Sequence, residues 1–128
     1  GDVYKRQIKL LENTRRPDIT FCRNGTIRIT ANVARALSLR PGDSINIAVS
    51  NGEYLLYAVH PSNKIGRHEA RCYPTKKGGY NFGAKSVRLC RTLLDKLEFP
   101  GESASYMVGE AIEISNTIYV PIITLRPL

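Results

Sequence analysis

The stretch Arg23–Ile47, RNGTIRITANVARALSLRPGDSINI, changes its periodicity twice. Thr26–Thr30 alternates, with Ile27 and Ile29 on one face and Thr26, Arg28 and Thr30 on the other, the pattern of a half-buried strand. Asp18–Arg23 alternates in the same way through Ile19 and Phe21. Between the two lies Asn24-Gly25, a dipeptide that tolerates positive φ at both central positions of a tight hairpin. Val33, Ala34, Ala36 and Leu37 then recur at helical spacing, with Thr30 or Asn32 placed to cap the start and Pro41-Gly42 to stop it. A helix this short does not hold itself in water, so Val33, Leu37 and Leu39 must pack against something. The period returns to two in SINIAV, which predicts Ile45, Ile47 and Val49 facing inward. The chain turns at Asn51-Gly52 and comes back as EYLLYAV. The predicted unit is β-β-α-β-β.

About sixty residues later the phrase recurs as KSVRLCRTLLDKLEFPGESASYMV. Under a shift of sixty, Ile27, Arg28 and Ile29 fall on Val87, Arg88 and Leu89. Val33, Leu37 and Leu39 fall on Leu93, Leu97 and Phe99. A one-residue deletion opposite Arg40 then aligns Pro41-Gly42-Asp43-Ser44 with Pro100-Gly101-Glu102-Ser103 and Val49 with Val108. EARCYPTKKGGYNFG supplies a second hairpin turning at Lys77-Gly78-Gly79, and AIEI and TIYVPII supply closing strands. Repetition at this level predicts an internal duplication, residues 18–63 and 64–128. Residues 1–7, GDVYKRQ, read as the translation of a library adapter and are expected to be an artefact; residues 8–17 are read as an N-terminal arm.

Composition sets the outer limits. Hydrophobic residues make up 42% of the 128, enough for a core and too many for wholesale disorder. No apolar run approaches the ~20 residues that cross a bilayer, and no membrane partner is expected. Cys22, Cys72 and Cys90 form no close pair, an odd count that fits reduced thiols and a cytoplasmic setting. The net charge of +8 is unevenly spread. Eight Lys/Arg face one acid, Glu69, between Lys64 and Arg91, whereas Glu98–Leu125 holds four acids and no base. Such asymmetry points to a polyanion partner, most often nucleic acid, or to a basic surface that merely keeps the chain soluble.

NGTIRITANVARALSLRPGDSINI resembles the swapped-hairpin domain of AbrB-like and MazE-like proteins, whose pattern is a glycine, an alternating strand, a short helix ending in leucine, and an L-x-P-G-D-x-(V/I) box. The resemblance is close over residues 18–58 and loose over 67–123. It implies a mainly β fold with two short helices, in which two interlocked β-β-α-β-β units exchange hairpins into a pseudo-two-fold barrel. The double-psi β-barrel is the closed alternative. One unit of about fifty residues buries too little apolar surface to stand alone. Holding both units in one chain raises their effective concentration for each other. The resemblance further implies a DNA-binding transcriptional regulator of prokaryotic or phage origin, with Arg35 where family members often place a helix arginine. Thr26 stands where the family often has arginine, and Thr30 and Cys90 where a proline usually opens the helix.

The candidate nucleic-acid-binding residues are Arg28, Arg35, Arg71, Lys76, Lys77, Lys85, Arg88 and Arg91. Under the sixty-residue shift Arg28 and Arg88 become symmetry mates able to contact phosphates on both sides of a groove. RCYPTKKGGYNFG interleaves Tyr73, Tyr80 and Phe82 with Arg71, Lys76 and Lys77, so its aromatics either stack on bases or face the core. His60, His68 and Cys72 lack a fourth ligand for zinc. GGYNFGAKS breaks the phosphate-loop spacing at Ala84. The acids are mostly turn residues such as Asp43 and Glu102, and the Gly-Ser of self-cleaving decarboxylases does not occur. No enzyme activity and no cofactor are expected. A non-catalytic interaction module, antitoxin-like or a double-psi-barrel adaptor with a protein partner or a second copy, is the alternative function.

Overall fold

The computed structural model describes residues 17–60 and 69–124. The readings placed on residues 1–16, on Lys64, Arg67 and His68, and on 125–128 lie outside them. Within the described residues the chain runs β1 (Ile19–Cys22), β2 (Thr26–Ile29), α1 (Ala31–Ala36), β3 (Ser44–Ser50) and β4 (Glu53–Val59). It continues through β5 (Tyr73–Pro74), β6 (Phe82–Lys85), α2 (Val87–Lys96), β7 (Ser103–Val108), β8 (Ile112–Ile114) and β9 (Thr117–Ile123). The fold is mainly β with two helices. Its strands join in the order β3-β4-β9-β7-β1-β2-β6-β5, with β8 attached to β9, and each of these pairings is antiparallel. The sheet curls so that one face encloses the core, and an isolated bridge between Ser44 and Arg71 draws its two ends together.

The inward set follows from the alternation. Ile19 and Phe21 of β1, Ile27 and Ile29 of β2, Leu56 of β4, Tyr106 of β7 and Val120 of β9 are almost fully buried. Phe21 and Tyr106 meet with ring centroids 6.4 Å apart. The helices close the core with Val33 and Leu37 from the first and Cys90, Leu93 and Leu94 from the second. β3 departs from the expected pattern. Ile45 is buried and Ile47 half-buried, but Val49 is 61% exposed. Ile45 N–H donates to the Ala70 carbonyl at 3.2 Å at the start of the strand, and Ile47 still packs against the core. Val49, two residues further on, lies outside that core cluster.

The turns separate what the dipeptides had merged. Asn51 and Gly52 both have positive φ (50° and 79°), the two-residue hairpin turn expected there. At Asn24-Gly25 only Gly25 is left-handed, at 100°, and the loop holds three residues, with Gly25 N–H donating to Cys22 O at 2.8 Å. A Cβ on Gly25 would also lie 2.9 Å from Val87 Cγ2, so glycine is required twice over. Pro41 does not stop α1. The helix ends at Ala36, and Ser38 then takes φ 53° while Leu39 N–H reaches back to Ala34 O at 2.8 Å. α2 ends identically: Glu98 has φ 56° and Phe99 N–H donates to Leu94 O at 2.9 Å.

The helix starts do not match. α1 has six residues and α2 ten. The shift of sixty therefore holds from Val33/Leu93 onward and fails before it. Ile27, Arg28 and Ile29 are strand residues, whereas Val87, Arg88 and Leu89 form the first turn of a helix. Arg28 and Arg88 are not symmetry mates. Ser86 explains the earlier start, because its side-chain oxygen accepts from Leu89 N–H at 3.1 Å and caps the extra turn. Thr30 makes no such bond; its hydroxyl donates to Asp18 O at 3.0 Å.

Candidate nucleic-acid interface

The outward face of β5-β6-β2-β1-β7 is built by simple alternation. Inward Phe21, Ile27, Phe82 and Tyr106 force their neighbours out. Register then aligns those neighbours in rows across the strands. One row runs Tyr73, Gly83, Arg28, Thr20, Ser105, and the next sets Lys85 against Thr26. Thr20 Oγ1 and Ser105 Oγ share a hydrogen bond of 2.7 Å. None of these outward residues is acidic.

The cations concentrate at one end of this face. Arg28, Arg71 and Lys85 line a single open depression of about 560 Å³, together with Tyr73, Thr75 and Gly83. Glu69 sits on its rim and accepts from the Ser86 hydroxyl at 3.2 Å. Lys76 and Lys77 lie in the loop between β5 and β6, exposed. That loop is closed by Thr75 N–H donating to Asn81 O at 2.9 Å, and its turn by Gly79 N–H donating to Lys76 O at 2.8 Å. The Asn81 side chain then accepts from Ala31 N–H at 2.9 Å, fixing the loop base to the start of α1.

The remaining candidates disperse. Arg88 lines a neighbouring cavity of about 500 Å³ with Ser44, Asn46 and Thr92; Glu69 and Ala70 line both hollows and separate it from the basic depression. Arg91 is turned away, its Nε donating to Arg23 O at 3.2 Å. Arg35 is exposed on α1, 3.5 Å from Asn32 Oδ1, and does not line the depression. Of the hairpin aromatics, Phe82 belongs to the core at 7% exposure, while Tyr73 and Tyr80 are 51% and 78% exposed. One aromatic of the hairpin therefore faces the core and two face outward.

Sequence reasoning missed Arg23. Its Nε donates to Gly101 O at 2.9 Å, Nη1 to Asp95 Oδ1 at 2.9 Å and Nη2 to Phe99 O. It anchors the first hairpin to the end of α2, contacts more than seventy residues away in sequence that no local pattern signals. Asn81 is missed for the same reason. Cys72 and His60 are engaged in structure. The Cys72 thiol donates to Ala70 O at 3.4 Å, and burial, with the Asp43 charge second, pushes its pKa up to about 12. His60 Nδ1 lies 3.0 Å from Asp43 Oδ2. Burial also pushes the Cys90 thiol up to about 11. Among the described residues no helix is long and apolar enough to cross a membrane. No family model, curated protein or solved structure matches the chain.

Proposed function

We propose that the protein binds nucleic acid, with duplex DNA as the form its AbrB-like sequence pattern implies, through the outward face of β5-β6-β2-β1-β7. The observation that carries this reading is the convergence of Arg28, Arg71 and Lys85 on one depression in a face whose other outward side chains are mostly hydroxyls. Cations at that spacing neutralise phosphates, and the hydroxyls donate to them. Lys76 and Lys77 extend the positive field on a loop held at both ends.

The duplicated reading rests on two kinds of correspondence. The helix ends repeat bond for bond, and the two Pro-Gly-acid turns are latched reciprocally. Asp43 O accepts from Cys72 N–H at 2.7 Å, and Glu102 O accepts from Arg23 N–H at 2.7 Å. Each half thus holds the turn of the other, as interlocked units would. In this proposal the chain is a tandem regulator of that kind.

Fluorescence anisotropy of a labelled duplex against salt is the test. Four to six phosphate contacts give a log–log slope of roughly −3.5 to −5.5. Arg28→Glu with Lys85→Glu should lower affinity by about a hundredfold while the thermal midpoint holds, since both side chains are exposed. Arg88→Glu alone should cost much less. A flat slope, or full affinity in the double variant, overturns the reading. It would favour a protein-interaction module instead, for which the exposed Ile112, Ile114 and Ile123 at the β8–β9 end speak.

A further inference from the structure

Tyr73, Gly83 and Arg28 stand side by side in one outward row, on β5, β6 and β2 respectively. Two inter-strand spacings set the outer two about 9.5 Å apart. The residue between them has no side chain, so the row forms a slot floored by the Gly83 backbone and the Thr75 methyl, which lies 3.3 Å from where a Cβ on Gly83 would sit, with Tyr73 and Arg28 on either side. A flat ring stacked at van der Waals distance on both walls fills a gap of about 7 Å. Tyr73 is half-exposed and lines the same depression as Gly83 and Arg28. Tyr80, on the anchored loop beside Lys76 and Lys77, offers a second free ring at 78% exposure.

We propose that this slot takes an unpaired base, so that the ligand of the basic face is a single-stranded or locally unstacked stretch of nucleic acid. The base stacks between Tyr73 and Arg28 over Gly83, its phosphates reach Arg71 and Lys85, and the next unpaired base meets Tyr80. The inference rests on the nucleic-acid reading above and puts an unpaired strand in place of the duplex as the preferred ligand. A Watson–Crick duplex keeps its bases stacked on each other and offers the slot nothing. Stacking on aromatic and guanidinium planes tolerates any base, so little sequence preference follows.

The full chain is titrated at fixed salt with an oligothymidylate of about 15 nucleotides and with a duplex of the same length. Tyr73→Ala should weaken single-strand binding about tenfold and leave duplex binding within about twofold, with Tyr73→Phe close to the parent. Tyr80→Ala should act in the same direction, less strongly. The chain holds seven tyrosines and no tryptophan, so quenching of tyrosine fluorescence by the oligonucleotide reports stacking directly and should shrink in Tyr73→Ala. Equal losses on both ligands, or none on either, overturn the slot. If binding nevertheless falls in Arg28→Glu with Lys85→Glu, the nucleic-acid reading survives alone. If that double variant also binds as the parent does, both proposals fall together.

Discussion

The two Pro-Gly-acid turns carry the same backbone bond to the other half of the chain and secure it by opposite means. At Pro41-Gly42-Asp43 the turn's own acid closes it and the docking segment adds a second backbone bond, Gly42 N–H donating to Cys72 O at 2.8 Å. Asp43 is buried, its Oδ2 accepting from Arg40 N–H at 2.8 Å with His60 Nδ1 3.0 Å away, and the residue that docks against it is the buried Cys72. At Pro100-Gly101-Glu102 the acid is exposed and the docking residue does the holding, through the three donors of Arg23. A shared backbone latch therefore constrains neither side chain. What must be kept is that each turn finds polar partners for its carbonyls and N–H groups, from whichever side supplies them.

Breaking the second latch should have the larger effect on stability. Arg23→Ala strands the Phe99 and Gly101 carbonyls and should cost about 3 kcal/mol by denaturant unfolding, since bonds from a charged donor are worth more than neutral ones. Most of that loss belongs to the two carbonyls. The Asp95 partner is 70% exposed, so Asp95→Asn should cost under about 1 kcal/mol. Lysine cannot reproduce the planar fork, and Arg23→Lys should recover less than half of the loss. At the first latch, Asp43→Ala leaves the Arg40 N–H without its acceptor and removes the contact to the exposed His60, and should cost about 2 kcal/mol. Equal costs for Arg23→Ala and Asp95→Asn would show that the ion pair, rather than the carbonyl bonds, holds the turn.

The docking residue of the first latch also makes the fold sensitive to alkali. In the unfolded chain thiols release their protons from about pH 9, whereas folded Cys72 and Cys90 keep theirs until about 12 and 11. Between those limits the unfolded state binds fewer protons, so stability falls as pH rises and is flat for these groups below 9. Each thiol contributes at most about 1.4 kcal/mol per pH unit. Unfolding free energies measured between pH 8 and 10.5 should decline more steeply in the parent than in Cys72→Ala, whatever the cavity costs at neutral pH. A parallel decline in both proteins would remove Cys72 from the account.

Much of the barrel was legible because alternation reports a curled sheet's inner face directly. Ile19, Phe21, Ile27 and Ile29 all sit where period two puts them. The helix ends were legible as a correspondence between Leu37 and Leu97, but not in place, since the stop read at Pro41-Gly42 falls before Ser38. The start of α2 was not. Lys85–Leu89 alternates like a strand, and an alignment that matched it to Ile27–Ile29 looked consistent residue by residue. The competing signal was present in Ser86 as a cap and in Cys90, Leu93, Leu94 and Leu97 at helical spacing. One added turn detached Arg88 from Arg28 and divided the candidate cations. Those that converge, Arg28, Arg71 and Lys85, come from three separate segments brought together by strand register, which composition cannot express.

The two helix starts give the finest version of the same comparison. Ser86 caps α2 from within the chain's own approach to the helix, accepting from Leu89 N–H and donating to Glu69. α1 has no such cap, and Ala31 N–H is met by Asn81 from a loop fifty residues on. The local cap satisfies the third N–H of its helix and the borrowed one the first, each an unpaired donor of the opening turn, so each truncation should cost about 1 kcal/mol. Their side effects should differ. Ser86→Ala frays one helix and leaves the β5–β6 loop where it is. Asn81→Ala also releases the loop that carries Lys76, Lys77 and Tyr80, and amide exchange at Thr75 and Gly79 should quicken by more than the global loss of stability accounts for. Uniform exchange across the chain in Asn81→Ala would mean that the loop is held by its own turn, and that the bond to α1 serves the helix alone.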